Sequence, residues 1–154
     1  METVVKATSL SISSPAFEVN GNIPARYTCQ GENVNPPLAI GKIPGDTKSM
    51  VCIVDDPDAA GSVFDHWIVW NIPPIERINE NSVPGIEGEN SFGVNTYKGP
   101  CPPTGTHRYF FKVYALDTML DLEEGTDKKT VEEEMKNHIL ASGELIGQFR
   151  KSIE

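Results

Sequence analysis

The sequence predicts a mostly β protein, an all-β sandwich with one α-helix in its C-terminal region. Short apolar runs rich in β-branched and aromatic residues recur along the 154-residue chain. The 13 glycines and 12 prolines are spread between these runs, where they mark turns. A single stretch shows the apolar spacing of a long helix. Because no repeat or low-complexity linker divides the chain, we expect one domain over residues 1–154.

Six apolar runs are predicted to form the strands. Turn signals such as Asn20-Gly21 and Pro44-Gly45 lie between them. The number and spacing of these runs favour a sandwich. The predicted strands cover residues 4–12, 38–40, 50–55, 66–72, 109–116 and 144–149.

The helical stretch follows the acidic segment near residue 125. Thr130 and Glu133 have the spacing of a capping box, in which each side chain bonds the backbone of the other residue. Apolar positions then recur with helical spacing from Val131 to Ile139. Gly143 is a residue that commonly stops a helix. The sequence therefore predicts a helix that begins at Thr130 and ends before Gly143.

Composition and charge exclude several classes of function. The chain is 38% hydrophobic and 23% charged, with no apolar run near the roughly 20 residues that cross a bilayer, so we expect a soluble protein without membrane insertion. The N-terminus lacks the basic and apolar parts of a signal peptide, which predicts a cytoplasmic location. A net charge of -9 opposes long-range attraction to nucleic acid. Local geometry must therefore capture any anion that the protein binds.

The cysteines are three in number, Cys29, Cys52 and Cys101. They are odd in count and widely spaced, without the CxxC pairs of a zinc site or the pattern of a disulfide framework. The sequence therefore predicts reduced thiols.

Side chains that can do chemistry are concentrated in four short stretches. If the predicted strands lie in one sheet, the carboxylates at the end of one strand and the imidazoles at the starts of two others converge at one rim. The four stretches are the acidic turn 55–58, residues 65–67, the proline-rich loop 99–103 and residues 107–109.

Strand alternation assigns these side chains to faces. His107 and Tyr109 are two residues apart and are expected on one face of their strand. The same two-residue alternation places His66 on the face of its strand that carries Ile68 and Trp70. The predicted convergence depends on these faces.

Each of these residues also has a purely structural interpretation. The acidic turn 55–58 is a common way to end a strand, and Trp67 and Trp70 are typical of a core. Taken alone, either site histidine is as easily a hydrogen-bonded core residue. Strand alternation turns Arg108 away from the site, where it is expected to form a salt bridge with a carboxylate beneath the site. His138, on the predicted helix, is assigned a structural role.

Two long stretches resemble the signature motifs of the phosphatidylethanolamine-binding protein family, which includes the Raf kinase inhibitor proteins. They are IVDDPDAAGSVFDHWIVWNIPP and KGPCPPTGTHRYFFKVYALD. The earlier segment SPAFEVNGNIPARYTCQGENVNPPLAI resembles the bacterial and archaeal branch of the family. The resemblance covers most of residues 9–117, and the helix followed by GELIGQF also fits it.

The resemblance implies a sandwich of two antiparallel sheets with Greek-key connections, and a small cavity that binds phosphate, acetate or a phospholipid head group without a cofactor or metal. Where eukaryotic members carry glycine, this chain has Cys101, whose side chain either narrows the cavity mouth or adds a nucleophile. The family's cavity positions match Asp56, Asp58, His66, Pro102, Pro103, His107 and Tyr109.

The proline-rich loop 99–103 suits a rigid anion site. Its three prolines fix φ and donate no hydrogen bonds, so the donors are expected from His66, His107, Tyr109 and the remaining amides. Asp56 would repel an anion unless a proton lies between them. Either an imidazole or the bound phosphate carries that proton, and the first alternative predicts an affinity that falls as pH rises from about 6 to 8.5.

Three functions follow from these residues. The first is a regulatory binding protein for a phosphate-bearing or carboxylate ligand, with a kinase or serine protease as a possible inhibited partner, as the resemblance implies. The second is an enzyme, either with a metal held by His66, His107 and an aspartate, or with Cys101 as a nucleophile assisted by His107. The third is an interaction protein with a vestigial cavity, and bacterial relatives suggest a homodimer.

Overall fold

The computed structural model of the protein describes residues 8–152, and their fold is two β-sheets with one α-helix. A short 3-10 turn, Ala25–Tyr27, precedes the longer strands. The strands are β1 (Thr8–Ser9), β2 (Ser11–Ser13), β3 (Leu38–Gly41), β4 (Ser49–Asp56), β5 (Phe64–Ile72), β6 (Arg77–Ile78), β7 (Ile86–Glu87), β8 (His107–Leu116) and β9 (Ile139–Phe149), and the helix is α1 (Lys128–Met135). The predicted mostly β fold with two sheets and a helix is confirmed.

The larger sheet has six strands in the order β1-β9-β8-β4-β5-β7, and the smaller has three in the order β2-β3-β6. Neighbouring strands run antiparallel, except that the short β1 lies parallel to β9. The Greek-key connection stays a prediction. No helix among residues 8–152 is long and apolar enough to cross a membrane.

The central strand β4 is buried along its whole length because both faces of the large sheet are covered. Met50, Cys52 and Val54 face the small sheet and belong to the main core. Val51 and Ile53 face the other way, into a second cluster that α1 completes. A strand covered on both sides reads as an unbroken apolar run rather than an alternating one, as MVCIV does here.

The helix is shorter than predicted and begins earlier. Asp127, not Thr130, is the N-cap: its carboxylate accepts a hydrogen bond from the Thr130 backbone N–H at 3.0 Å. The helix ends at Met135, and the chain enters β9 at Ile139. Pairing with β8 along almost its whole length overrides the helical spacing of this stretch. Gly143 lies within β9, where a Cβ would stand 2.4 Å from the Leu10 carbonyl oxygen.

Strand boundaries differ from the predicted ones chiefly at the N-terminal ends. Residues 4–7 of the first predicted strand lie outside the described residues, and residues 8–12 fall in β1 and β2, apart from Leu10, which lies between them. The strand predicted over 144–149 is the second half of β9. β5 and β8 each begin two residues earlier than predicted, so His107 is the first residue of β8 and His66 the third of β5.

Candidate functional site

A small cavity opens at one end of the inner strands of the large sheet, where β4 ends and β5 and β8 begin. Its volume is about 250 Å³. Four polar side chains line it, those of Asp56, His66, His107 and Tyr109. The rest of the lining is mostly apolar and comes from Ala59, Ala60, Phe64, Phe92, Cys101, Pro102 and Pro103. All the predicted site residues except Asp58 therefore lie around one cavity.

Sheet register explains why these residues meet. β4 runs antiparallel to both β5 and β8, so its C-terminal end lies beside the N-terminal ends of its two neighbours. Asp56 pairs with Phe64 on one side, and Asp55 pairs with Phe110 on the other. The predicted convergence of an acidic strand end with two histidine-bearing strand starts is confirmed.

A bulge in β5 directs His66 into the cavity. Val54 of β4 pairs with Trp67, but the following residue, Asp55, pairs with Asp65. His66 is thus an extra residue on β5, the defining feature of a β-bulge. The bulge breaks the alternation of side chains at this point.

The bulge makes the predicted face of His66 wrong. The His66 ring centroid lies 5.3 Å from that of Tyr109, on the cavity side, whereas Ile68 and Trp70 pack into the cluster beneath α1. Trp70 is fully buried there, as expected of a core residue. His107 and Tyr109 do share a face, with stacked rings 6.4 Å apart.

Hydrogen bonding shows which ring nitrogen of His66 carries the hydrogen. Its Nδ1 lies 2.7 Å from the carbonyl oxygen of Lys98. Because a carbonyl can only accept, Nδ1 carries a hydrogen and Nε2 is the ring nitrogen left for a ligand. Burial lowers the pKa of His66, although the Lys98 carbonyl and the Asp56 carboxylate act in the opposite direction. The free protein therefore holds a neutral imidazole here at neutral pH.

Asp56 connects the acidic turn to the second histidine. Its Oδ2 lies 2.7 Å from Nδ1 of His107, and its Oδ1 accepts the backbone N–H of Asp58 at 2.8 Å. Asp56 is buried, at 3% exposed. Burial, followed by the charge of Asp56, raises the pKa of Tyr109, so its hydroxyl stays protonated and can donate.

Asp58 lies outside the cavity. It holds the guanidinium of Arg108 through two hydrogen bonds of 2.9 Å and also accepts the Arg108 backbone N–H at 2.8 Å. The hydrogen bonds from Arg108 lower the pKa of Asp58 to about 2. Arg108 thus has the expected carboxylate partner, but the pair lies at the surface rather than beneath the site. Its effect is to fasten the acidic turn to β8.

A second ion network lies behind the cavity, on the helix side of the sheet. Nζ of Lys112 is 3.1 Å from Oδ2 of Asp55. Lys128 of α1 lies 3.7 Å from the same oxygen and 2.6 Å from Oδ1 of Asp65. Because Asp55 and Asp65 precede Asp56 and His66 in the chain, this network ties together the two strand ends that carry the site.

Cys29 and Cys101 form a disulfide with a Cα–Cα distance of 5.4 Å. The prediction of reduced thiols is therefore wrong for these two, and Cys52 alone is free and buried, with a pKa that burial raises to about 12. The two partners are 72 residues apart in sequence, and only the fold brings them together: the Cys29 N–H donates to the Pro100 carbonyl at 3.1 Å.

The disulfide changes two of the sequence-based alternatives. Cys101 has no free thiol, so it cannot act as the nucleophile of a His107-assisted enzyme. Disulfides are typical of oxidising compartments, or of intracellular proteins in hyperthermophiles. The cytoplasmic location therefore stays a prediction.

The aromatic wall of the cavity was not predicted from sequence. Phe64 and Phe92 meet edge to face, with centroids 4.8 Å apart, and both rings lie within 5.6 Å of His66. Asn90 positions the Phe92 loop: its side chain accepts the Phe92 N–H at 2.9 Å and donates to the His66 carbonyl at 3.2 Å. The available signal was an aromatic residue in a polar loop, two residues after an asparagine.

The metal alternative finds no support in the part of the chain that the structure describes. Within residues 8–152, no three His, Cys, Asp or Glu side chains are grouped to hold a metal ion. At the cavity, Asp56 and His107 bind each other, and His66 has one ring nitrogen committed to a backbone carbonyl.

The chain is a mostly β protein of two sheets with a small cavity, and comparison with known sequences gives the family. The sequence profile described as phosphatidylethanolamine-binding protein matches residues 13–150. The chain belongs to this family, and the resemblance described above is confirmed.

Related chains occur in archaea and bacteria. A UPF0098 protein of Methanothermobacter thermautotrophicus is 47% identical over 150 residues, which cover 92% of this chain and 99% of that protein. A UPF0098 protein of Chlamydia trachomatis is 40% identical over 149 residues, covering 92% of this chain and 99% of the relative.

Solved structures show the same fold. The phosphatidylethanolamine-binding protein homologue CT736 from Chlamydia trachomatis has a TM-score of 0.90 at 38% identity, covering 95% of this chain and all of the other. Escherichia coli YbcL, described as a member of the mammalian family, has a TM-score of 0.86 at 26% identity, covering 94% of this chain and all of that protein.

Proposed function

We propose that the cavity binds a small oxyanion, either phosphate or the phosphoryl group of a lipid head group, and that the protein acts by binding rather than by catalysis. One observation carries the proposal: two imidazoles, each with Nδ1 held by an acceptor, share one cavity with the Tyr109 hydroxyl. Imidazolium and phenol are donors that match phosphate oxygens.

The surroundings of these donors favour tight binding of a small group. Apolar side chains make up much of the wall, and hydrogen bonds to charged groups are stronger where water is excluded. The loop carrying Pro102 and Pro103 is fixed by its prolines and by the disulfide at Cys101. Little conformational entropy is then lost when the ligand binds.

Asp56 acts as the orienting residue of the site. Its carboxylate accepts a hydrogen bond from Nδ1 of His107 and so fixes the ring with Nε2 left for a ligand. The carboxylate and the phosphate are then separated by the imidazole ring instead of facing each other.

A regulatory role follows as part of the same proposal. Because the resemblance is to a family that includes the Raf kinase inhibitor proteins, the proposed role is inhibition of a kinase or serine protease, in which the cavity would recognise a phosphoryl or carboxylate group of the partner. The cytoplasmic location and the homodimer are kept as predictions beside it.

Calorimetric titration with inorganic phosphate, phosphoethanolamine and acetate tests the proposal. His107→Gln should weaken phosphate binding by roughly tenfold to a hundredfold, the effect of losing one hydrogen bond to a charged group. The chain offers a matched control, because His138 makes the same Nδ1 contact with Asp117, at 2.8 Å, on the exposed surface. If phosphate does not bind, or if His138→Gln weakens it as much as His107→Gln does, the proposal is wrong.

A further inference from the structure

A second cavity lies on the other side of the proline pair that walls the first one. It has a volume of about 420 Å³ and is lined by residues 102–105 and 150–152. Pro102 and Pro103 line both cavities, so the two are separated by little more than the proline loop itself. Arg150 and Lys151 bring two positive charges to the second cavity.

The pairing of β8 with β9 places these two cations beside the site. Phe149, the last residue of β9, pairs with His107, the first residue of β8. Phe149 is buried in the main core, so the chain leaves the sheet from a fixed point. Arg150 and Lys151 therefore follow directly after the strand partner of a residue that lines the first cavity.

A pair of hydrogen bonds holds the segment beyond them. Gln30 donates from Nε2 to the Ser152 carbonyl at 3.1 Å and accepts the Ser152 N–H at 3.0 Å. Gln30 follows Cys29, whose disulfide leads to Cys101 at the wall of the first cavity. Residues 150–152 are thus anchored at both ends.

The lining of the second cavity is suited to an anion. In the part of the chain that the structure describes, its lining contains no carboxylate, and the hydroxyls of Thr104 and Ser152 add neutral donors. Among residues 8–152, neither Arg150 nor Lys151 is within salt-bridge distance of an acidic side chain. In a chain of net charge -9, two adjacent cations on a cavity wall whose described lining residues include no acidic side chain give a local positive charge.

From these observations we infer that the two cavities form one composite site for a small molecule with two anionic groups. A phosphate monoester occupies the histidine cavity, and a second phosphate or carboxylate, a short chain away, binds Arg150 and Lys151 across the proline loop. The inference rests on the proposed function, because the first group must bind for the second to be positioned. It narrows the ligand class from any phosphate to doubly anionic phosphorylated metabolites.

Titration with propane-, butane- and hexanediol bisphosphates, each beside the alkyl monophosphate of matched length, tests the inference. The bisphosphate of best-fitting length should bind roughly tenfold more tightly than its monophosphate, as expected for two partly solvent-screened charged contacts. Combining Arg150→Gln with Lys151→Gln should remove that difference. The control combines Lys48→Gln with Lys129→Gln, which are exposed and change the net charge equally.

The outcomes separate the inference from the proposal beneath it. If phosphate binds but the bisphosphates gain nothing over their monophosphates, the composite site is wrong and the histidine cavity stands. The composite site is also wrong if the tighter binding of the bisphosphate persists in the Arg150 and Lys151 double variant, or if the control variant loses it equally. If inorganic phosphate itself fails to bind, both are wrong.

Discussion

Sulfate provides the sharpest test of how His66 takes part in binding, because sulfate carries no proton near neutral pH. His66 donates from Nδ1 to the Lys98 carbonyl, so its neutral form presents a lone pair at Nε2. A lone pair repels a sulfate oxygen, whereas a protonated Nε2 donates to it. The imidazole must therefore take up a proton when sulfate binds.

The magnitude follows from this single proton. Burial lowers the pKa of His66 in the free protein, and the bound anion raises it, so the proton is taken up at pH values between the two pKa values. Between these two pKa values, each rise of one pH unit makes the binding free energy less favourable by about 1.4 kcal/mol for each proton taken up. This is a tenfold loss of affinity. From about pH 6.5 upward, the affinity for sulfate should fall by up to tenfold per pH unit through His66 alone, which is at most about a hundredfold by pH 8.5.

Calorimetry in buffers of different ionisation enthalpy measures both the affinity and the number of protons taken up. His66→Asn, which donates without titrating, should reduce the slope of log affinity against pH by about one unit. An affinity for sulfate that is flat across this range, with an enthalpy independent of the buffer, would refute the assignment of the proton. If phosphate binds and sulfate does not, the ligand supplies the proton instead.

Two further predictions concern the framework of the site. Because the Cys29–Cys101 disulfide joins residues 72 apart, replacing both by serine should lower the free energy of unfolding by about 4 kcal/mol. Urea denaturation should show that the variant is insensitive to reductant and as stable as the reduced parent protein; equal stability of the oxidised and reduced parent would contradict this. Lys128→Met should cost about 2 kcal/mol by removing the cation between Asp55 and Asp65, whereas Lys129→Met, its exposed neighbour on α1, should stay within about 0.5 kcal/mol. Equal costs for the two lysines would show that the ion network does not stabilise the fold.

Several features of the site could be predicted because they depend on local chemistry. The apolar runs that became β4, β5 and β8 have strand propensity in their own residues. The acidic turn at Asp56 and the histidines at the strand starts lie at run boundaries visible in the sequence. Since antiparallel neighbours bring strand ends and strand starts together, the sequence was sufficient to predict their convergence.

Other features depend on partners that the sequence does not identify. The orientation of His66 is decided by a bulge, which exists only relative to the register of β4. Residues 139–143 have helical spacing, yet pairing with β8 makes them a strand, because a long ladder of hydrogen bonds outweighs a weak local preference.

The sequence by itself determined the family, the strand-rich fold and most of the residues around the cavity, since these follow from composition, alternation and motif. Tertiary structure decided which face His66 occupies, that Cys29 and Cys101 are joined, and that Arg150 and Lys151 lie across the proline loop from the histidines. Each of these depends on contacts between segments far apart in the chain, and local residue preferences carry no information about such contacts.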